Sequence, residues 1–295
     1  MEIDGYLRDR AAHVEAELAR RLADPERGIE PKLLEAMCYS TLDAGKRIRP
    51  ILLLASGEAC GGSLTELLPF ACAVEMVHCY SLIHDDLPSM DDDDFRRGRP
   101  SNHKVFGEAV AILAGDGLLT EAFALLAAPG GGIEPERRIA AVRELATAAG
   151  AGGMVGGQVA DLLAEGTGAP LAVVESIHRR KTGALLRAAV RMGGLLAGGT
   201  EAELERLDAY GGLIGLAFQV ADDLLDETGN VAATGKHAAR DRARGKSTYP
   251  SALGVDGARD RLRGLLAQAI AEIEGFGPRG EALRGIAGRV ASRAL

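Results

Sequence analysis

The sequence predicts an all-α protein, a helical bundle, and three observations carry that expectation. Alanine, leucine, glutamate and arginine dominate while aromatic residues are only 4% of 295, so helix propensity is high almost throughout. Apolar residues recur at helical rather than alternating spacing. Glycine-rich punctuation separates the periodic runs, at Gly61-Gly62, Pro129-Gly130-Gly131-Gly132, Gly198-Gly199 and Gly275-Phe276-Gly277-Pro278.

The elements follow in chain order. Leu7 to Leu22 reads as the first helix. Pro50, a good first helical position, opens a second through Ile51-Leu52-Leu53-Leu54. Leu64 to Leu87 reads as a buried helix, stopped where Pro88 biases Leu87 away from helical backbone. Further helices are expected over Glu108 to Ala127, Pro135 to Ala149, Leu171 to Leu196, Glu201 to Leu225, Ala258 to Ile273 and Gly280 to Ala294. Several are apolar nearly all round, which suits central helices sheathed by others. The interval Glu227 to Ser247 breaks the rhythm. It is polar, rich in Gly, Lys and Arg, and too long for a tight connection, so it reads as a lid over an anion. No composition shift marks a boundary and no repeat is evident, so residues 1–295 read as one domain.

Bulk properties narrow the function. A 47% hydrophobic content is ample for a large core. Lys and Arg number 34 against 42 Asp and Glu, a net charge of −8, which argues against nucleic-acid binding. No run approaches 18 apolar residues without a charge, so no membrane span is expected. Met1-Glu2-Ile3-Asp4 is acidic and lacks an apolar signal core, so a cytoplasmic protein is expected. Cys38, Cys60, Cys72 and Cys79 form no CxxC pair and read as reduced, buried thiols.

Two acidic clusters sit in otherwise apolar helical runs. The first is His84-Asp85-Asp86-Leu87-Pro88-Ser89-Met90-Asp91-Asp92-Asp93-Asp94, followed at once by Phe95-Arg96-Arg97-Gly98-Arg99. Glu75, His78, Ser81 and Asp85 share one stripe of the preceding helix. Asp85 and Asp86 fall in its last turn, where the helix dipole is already negative, so they call for a counter-charge. Hard oxygen ligands suit Mg²⁺ better than zinc. Arg96 and Arg97 supply planar donors suited to phosphate. In the second cluster Asp222, Asp223 and Asp226 are spaced to share one side of a helix, with Gln219 a turn earlier. Gly45-Lys46-Arg47-Ile48-Arg49-Pro50 places three cations before a helix, an anion site by charge and dipole. Lys181-Thr182 lies within a helix, and Lys236 and Lys246 lie in the long loop.

These motifs, in this order, resemble the trans-isoprenyl diphosphate synthases, and look most like the bacterial farnesyl diphosphate synthases among them. The match includes the DDxxxxD motif at Asp85, Asp86 and Asp91, Gly156-Gly157-Gln158 with Asp161, Phe218-Gln219-Val220-Ala221-Asp222-Asp223, and Gly235-Lys236 through Pro250. The resemblance implies an all-α homodimer with both aspartate motifs facing a central cavity. It implies condensation of isopentenyl diphosphate with dimethylallyl or geranyl diphosphate, giving C15 farnesyl diphosphate and pyrophosphate, with a C20 geranylgeranyl product as the alternative. By the same resemblance Asp85, Asp86, Asp91, Asp222 and Asp226 hold Mg²⁺, three ions with substrate bound. Arg96, Lys181, Thr182, Gln219, Lys236 and Lys246 hold the allylic diphosphate, and Lys46, Arg49, His78 and Arg97 the isopentenyl diphosphate. Asp85, Asp86, Lys181 and Asp222 are expected to carry catalysis.

Product length is a finer expectation. Tyr80 lies about 7.5 Å down the helix axis from Asp85. A ring at that depth would floor the cavity at C15. Ser81, more nearly aligned with Asp85, is the other chain-length candidate. Ala291-Ser292-Arg293-Ala294-Leu295 lacks the basic tail of some relatives, so no tail clamp on substrate is expected. A cyclase would not need Lys46, Arg49 and Arg97, and a non-catalytic subunit would be expected to lack aspartates.

Overall fold

The computed structural model describes residues 2–22, 28–43, 45–128, 132–227 and 248–294. Over these the chain runs α1 (Ile3–Leu22), α2 (Pro31–Thr41), α3 (Ile48–Ala59), α4 (Leu64–Asp85), the strands β1 (Phe95–Arg96) and β2 (Arg99–Pro100), α5 (Asn102–Phe106), α6 (Glu108–Ala127), α7 (Pro135–Ala149), α8 (Met154–Ala164) and α9 (Leu171–His178). A π-helical turn over Arg179–Gly183 joins α9 to α10 (Ala184–Leu196). Then come α11 (Glu201–Glu227), α12 (Tyr249–Glu272), a 3₁₀ segment over Glu274–Gly280 and α13 (Glu281–Ala294).

Helices α3 and α10 form the spine. Leu53 and Leu54 of α3, with Leu185, Ala189 and Met192 of α10, join a core shared with α1, α4, α6 and α7. Ile51, Leu52 and Ala55 of α3, with Leu186 and Val190 of α10, join a second core with α11, α12 and α13. Each spine helix is therefore apolar on two faces, as the sequence leads one to expect of central helices.

The structure refines several elements. Helix α4 is capped by Ser63, whose hydroxyl accepts from Glu66 N–H, and it ends at Asp85 with Asp86 as its C-cap. That is two residues before the expected end. The expected single helix Leu171 to Leu196 is interrupted by the π turn. Helices α2, α5 and α8 and the β1–β2 hairpin are additional to the expected set. Helix α2 starts on Pro31, with Glu30 accepting from Lys32 and Leu33 N–H. In α8 the glycines Gly156 and Gly157 hide the periodicity. Helix α12 begins at Tyr249 with a Thr248–Ser251 capping box and breaks at Gly254, where φ is 72°.

Helices α4 and α6 are long and apolar enough to cross a membrane by length and composition, although each carries charge. The apolar stretch of α4 is 67% buried against the protein's own helices, that of α6 only 33%. Helix α6 leaves Ile112 and Leu113 43% and 57% exposed. The four thiols are free, with Cys72 and Cys79 buried and Cys38 and Cys60 half-buried.

Candidate active site

The first acidic cluster is a loop folded on itself. Asp91 N–H donates to the Asp85 carbonyl at 2.8 Å, Asp92 N–H to Leu87 at 3.0 Å and Asp93 N–H to Asp86 at 3.2 Å. The β1–β2 hairpin closes it, pairing Arg96 with Arg99 through a two-residue turn at Arg97-Gly98. Both turn residues have positive φ, 52° and 79°, the backbone that such tight hairpins require.

That hairpin delivers Arg96 onto Asp86. Arg96 Nε donates to Oδ1 and Oδ2 of Asp86 at 3.0 and 3.2 Å, Nη2 adds a further bond to Oδ1, and Nη2 reaches Asp93 at 3.4 Å. Asp86 is 2% exposed. Without metal or diphosphate, the two residues expected on metal and on phosphate, Asp86 and Arg96, neutralise each other in a buried ion pair that frames the loop. Asp85 is different. Burial pushes its carboxyl up to about 6, against the pull of Lys181, and Asp91 adds to the rise. Its charge is the under-compensated one.

A basic cluster lies beside α4. Arg49 Nη1 donates to His78 Nε2 at 3.1 Å, which leaves the His78 proton on Nδ1. Burial and then the nearby arginines, led by Arg49 and Arg97, hold His78 well below its ordinary value. Arg49 Nε is buried without a hydrogen-bond partner. The Arg97 guanidinium lies where Gly45 leaves room: a Cβ there would sit 2.8 Å from Nη1. Lys46 is exposed, and its pKa is lowered by partial burial and by Arg293. Arg47, grouped by sequence with these cations, turns the other way into the core, 2% exposed.

Lys181 and Thr182 ride on the π turn, a geometry that often marks functional sites. Lys181 Nζ is 2.7 Å from Asp161 Oδ2 on α8. Gly157 makes that approach possible, since a Cβ there would meet Lys181 N at 2.3 Å.

The second cluster divides rather than sharing one side. Asp223, 7% exposed, turns inward and accepts from Tyr249 N–H at 3.0 Å and Gln219 Nε2 at 3.1 Å. Burial pushes its carboxyl up to about 7. Asp222 is half-buried and is bound by Arg293 Nη2 at 3.1 Å, with the Arg293 guanidinium 5.2 Å from the Phe218 ring centroid. Asp222 is raised by burial, while Arg293, Lys46 and Arg49 pull it down. Arg49 therefore links the two halves: it bonds His78, on the α4 stripe of Asp85, and lies within electrostatic reach of Asp222. Near the C-terminus, Arg293 of α13 sits on the second cluster. Lys236, Lys246 and the expected lid beyond Glu227 lie outside the described residues.

Tyr80 is 7% exposed and stacks edge-on against His84, with ring centroids 5.7 Å apart. The Ser81 hydroxyl donates to the His78 carbonyl at 2.8 Å, on its own helix. Sequence reasoning had no roles for Glu75, Asp161 as a lysine partner, or Arg293. The ExxH spacing of Glu75 and His78 was the one available signal.

A polyprenyl synthetase family model matches residues 30–275. The chain belongs to the polyprenyl synthetase family. It is 45% identical to the farnesyl diphosphate synthase of Geobacillus stearothermophilus, over 99% of this chain and 98% of that one. It is 48% identical to a chloroplastic geranylgeranyl pyrophosphate synthase of Capsicum annuum, over 85% of this chain and 68% of that one. A solved structure of an FPP/GFPP synthase from Zymomonas mobilis superposes with a TM-score of 0.84 at 37% identity, covering 98% and 97% of the two chains. Family and fold therefore stand as the sequence led one to expect.

Proposed function

We propose that the protein is a farnesyl diphosphate synthase, joining isopentenyl diphosphate to dimethylallyl and then geranyl diphosphate. Full-length similarity to the Geobacillus enzyme carries this reading, and the site chemistry supports it. A basic cluster with an unpartnered buried Arg49 Nε lies between two acidic clusters, which is what two diphosphates and their cations need.

The donor set suits Mg²⁺. Asp85, Asp86, Asp91, Asp222 and Asp226 offer hard oxygens, and Asp85 is raised by burial and by its acidic neighbours, a strain that a cation relieves. Among the described residues no trio of acidic or histidine side chains converges on one point. A bound ion therefore needs further oxygens, which a diphosphate supplies. Mg²⁺ held there contributes positive charge to the departing pyrophosphate.

In this reading Arg96, Lys181, Thr182, Gln219, Lys236 and Lys246 orient the allylic diphosphate, and the Asp86–Arg96 pair holds the loop that carries Asp85 and Asp91 until substrate arrives. The allylic C–O bond breaks heterolytically and its electron pair leaves with pyrophosphate. The isopentenyl diphosphate, held by Lys46, Arg49, His78 and Arg97, attacks through its double bond. A proton then leaves the new cation for the pyrophosphate oxygen, the base that departs beside it. Apolar walls keep water from the cation. Tyr80 ends the chamber at C15. Residues 1–295 act as one polyprenyl synthase domain, since α3 and α10 serve both cores. The free thiols suit the cytoplasm, and exposed Ile112 and Leu113 on α6 suit a homodimer.

The test is product analysis with Mg²⁺, isopentenyl diphosphate and each allylic primer. Release of pyrophosphate with a C15 product is expected, and no elongation from any primer would reject the reading. The Capsicum relative favours a C20 product as the second reading, and the same chromatogram separates the two.

A further inference from the structure

Arg47 is unusual in three respects. Its backbone is left-handed, with φ 49° and ψ 30°, a conformation that L side chains rarely adopt. Its side chain is fully buried. Each of its guanidinium nitrogens is engaged: Nη1 donates to Glu75 Oε1 at 2.7 Å, Nη2 to the Asp43 carbonyl at 2.6 Å and Nε to Glu15 Oε1 at 3.3 Å. Three different segments thus over-determine one strained residue, the condition under which such strain persists.

The pair also lies beside the basic cluster. Glu75, 1% exposed, lies one turn before His78 on α4. The Arg47–Glu75 pair therefore clamps the first turn of α3 to α4 at the level where Arg49 reaches His78. The left-handed residue sends its own side chain into the core while its neighbours Lys46 and Arg49 lie within reach of Asp222. Stability alone gives little reason to keep a buried ion pair, which apolar residues of similar volume often replace without loss.

We propose that Arg47, through its buried pair with Glu75, is a positioning residue for the isopentenyl diphosphate site, fixing the turn that aims Lys46 and Arg49. This rests on the assignment of those cations to that diphosphate. Arg47 itself touches no substrate, since its donors face the core.

The test compares Arg47→Met, which keeps bulk without charge, and Glu75→Gln, which keeps shape and an acceptor. In variants with unchanged circular dichroism, KM for isopentenyl diphosphate is expected to rise about tenfold or more, as small misplacements of binding groups do. KM for the allylic substrate and kcat should stay within about threefold. An unchanged isopentenyl KM in a folded variant, or a parallel rise for both substrates, overturns the proposal. If Arg47→Met does not fold, Glu75→Gln decides on the same readout. Lys46→Ala separates this inference from the site assignment. If it leaves the isopentenyl KM unchanged, the assignment itself is wrong. If it raises that KM while the Arg47 and Glu75 variants do not, only the positioning role fails.

Discussion

The two acidic clusters look alike in sequence and are built in opposite ways. The first is braced locally. Its inward carboxylate, Asp86, is paired by Arg96 ten residues later, and its loop is closed by its own backbone bonds. The second is braced from afar. Its inward carboxylate, Asp223, is held by Tyr249 N–H 26 residues later, and Asp222 by Arg293 71 residues later. In each cluster one aspartate is turned inward, and its neighbour is less buried: Asp85 is raised by burial, and Asp222 shares its charge with Arg293. Adjacent aspartates thus meet different partners in the substrate-free fold.

Breaking the outward member of either cluster should have the largest effect. Asp85→Ala and Asp222→Ala should each lower kcat by about a thousandfold, as loss of charge stabilisation at a departing group does, with helix content by circular dichroism unchanged. Breaking the inward members should separate the clusters. Asp86→Ala leaves the largely buried Arg96 with only its longer contact to Asp93 and should lower stability by about 3 kcal/mol. Asp223→Ala removes acceptors at the start of α12 and should cost about 1 kcal/mol. Denaturant titration of both variants measures this contrast, and equal losses would refute it.

The pH dependence sharpens the same comparison. Asp85 and Asp223 bind protons more tightly folded than unfolded. Their contribution to metal-free stability is fully present below the ordinary carboxyl value of 3.8 and is lost as pH rises through about 6 and about 7. Melting temperature should therefore fall over that range, and Asp223→Asn should flatten its upper part. The smallest effect is expected for Arg293→Gln. Freeing Asp222 of this partly exposed partner should tighten Mg²⁺ binding in the presence of an allylic bisphosphonate by about threefold in a calorimetric titration.

The same contrast explains what the sequence disclosed. Glu108–Ala127 and Pro135–Ala149 were legible to the residue because glycine or proline marks their starts. The first cluster was legible because proline, carboxylates and arginines lie within one short segment. The different settings of Asp222 and Asp223 were not, because they depend on partners that spacing along one helix does not reveal. The burial of Arg47 was hidden for a similar reason. Charge and position placed it with Lys46 and Arg49, and only the left-handed backbone sends it the other way. The π turn was invisible because Arg179 to Gly183 has ordinary helical composition.

Tyr80→Ala offers an independent check on the proposed C15 floor: the product should extend beyond C15, and an unchanged distribution would place the floor elsewhere. For the central claim, the most direct measurement is anomalous diffraction from crystals soaked with Mn²⁺ and an allylic bisphosphonate. The account predicts ions on both sides of one bisphosphonate, some bound by Asp85 and Asp91 and others by Asp222. Ions bound by only one cluster, or Asp85 and Asp222 opening onto separate surfaces, would contradict it.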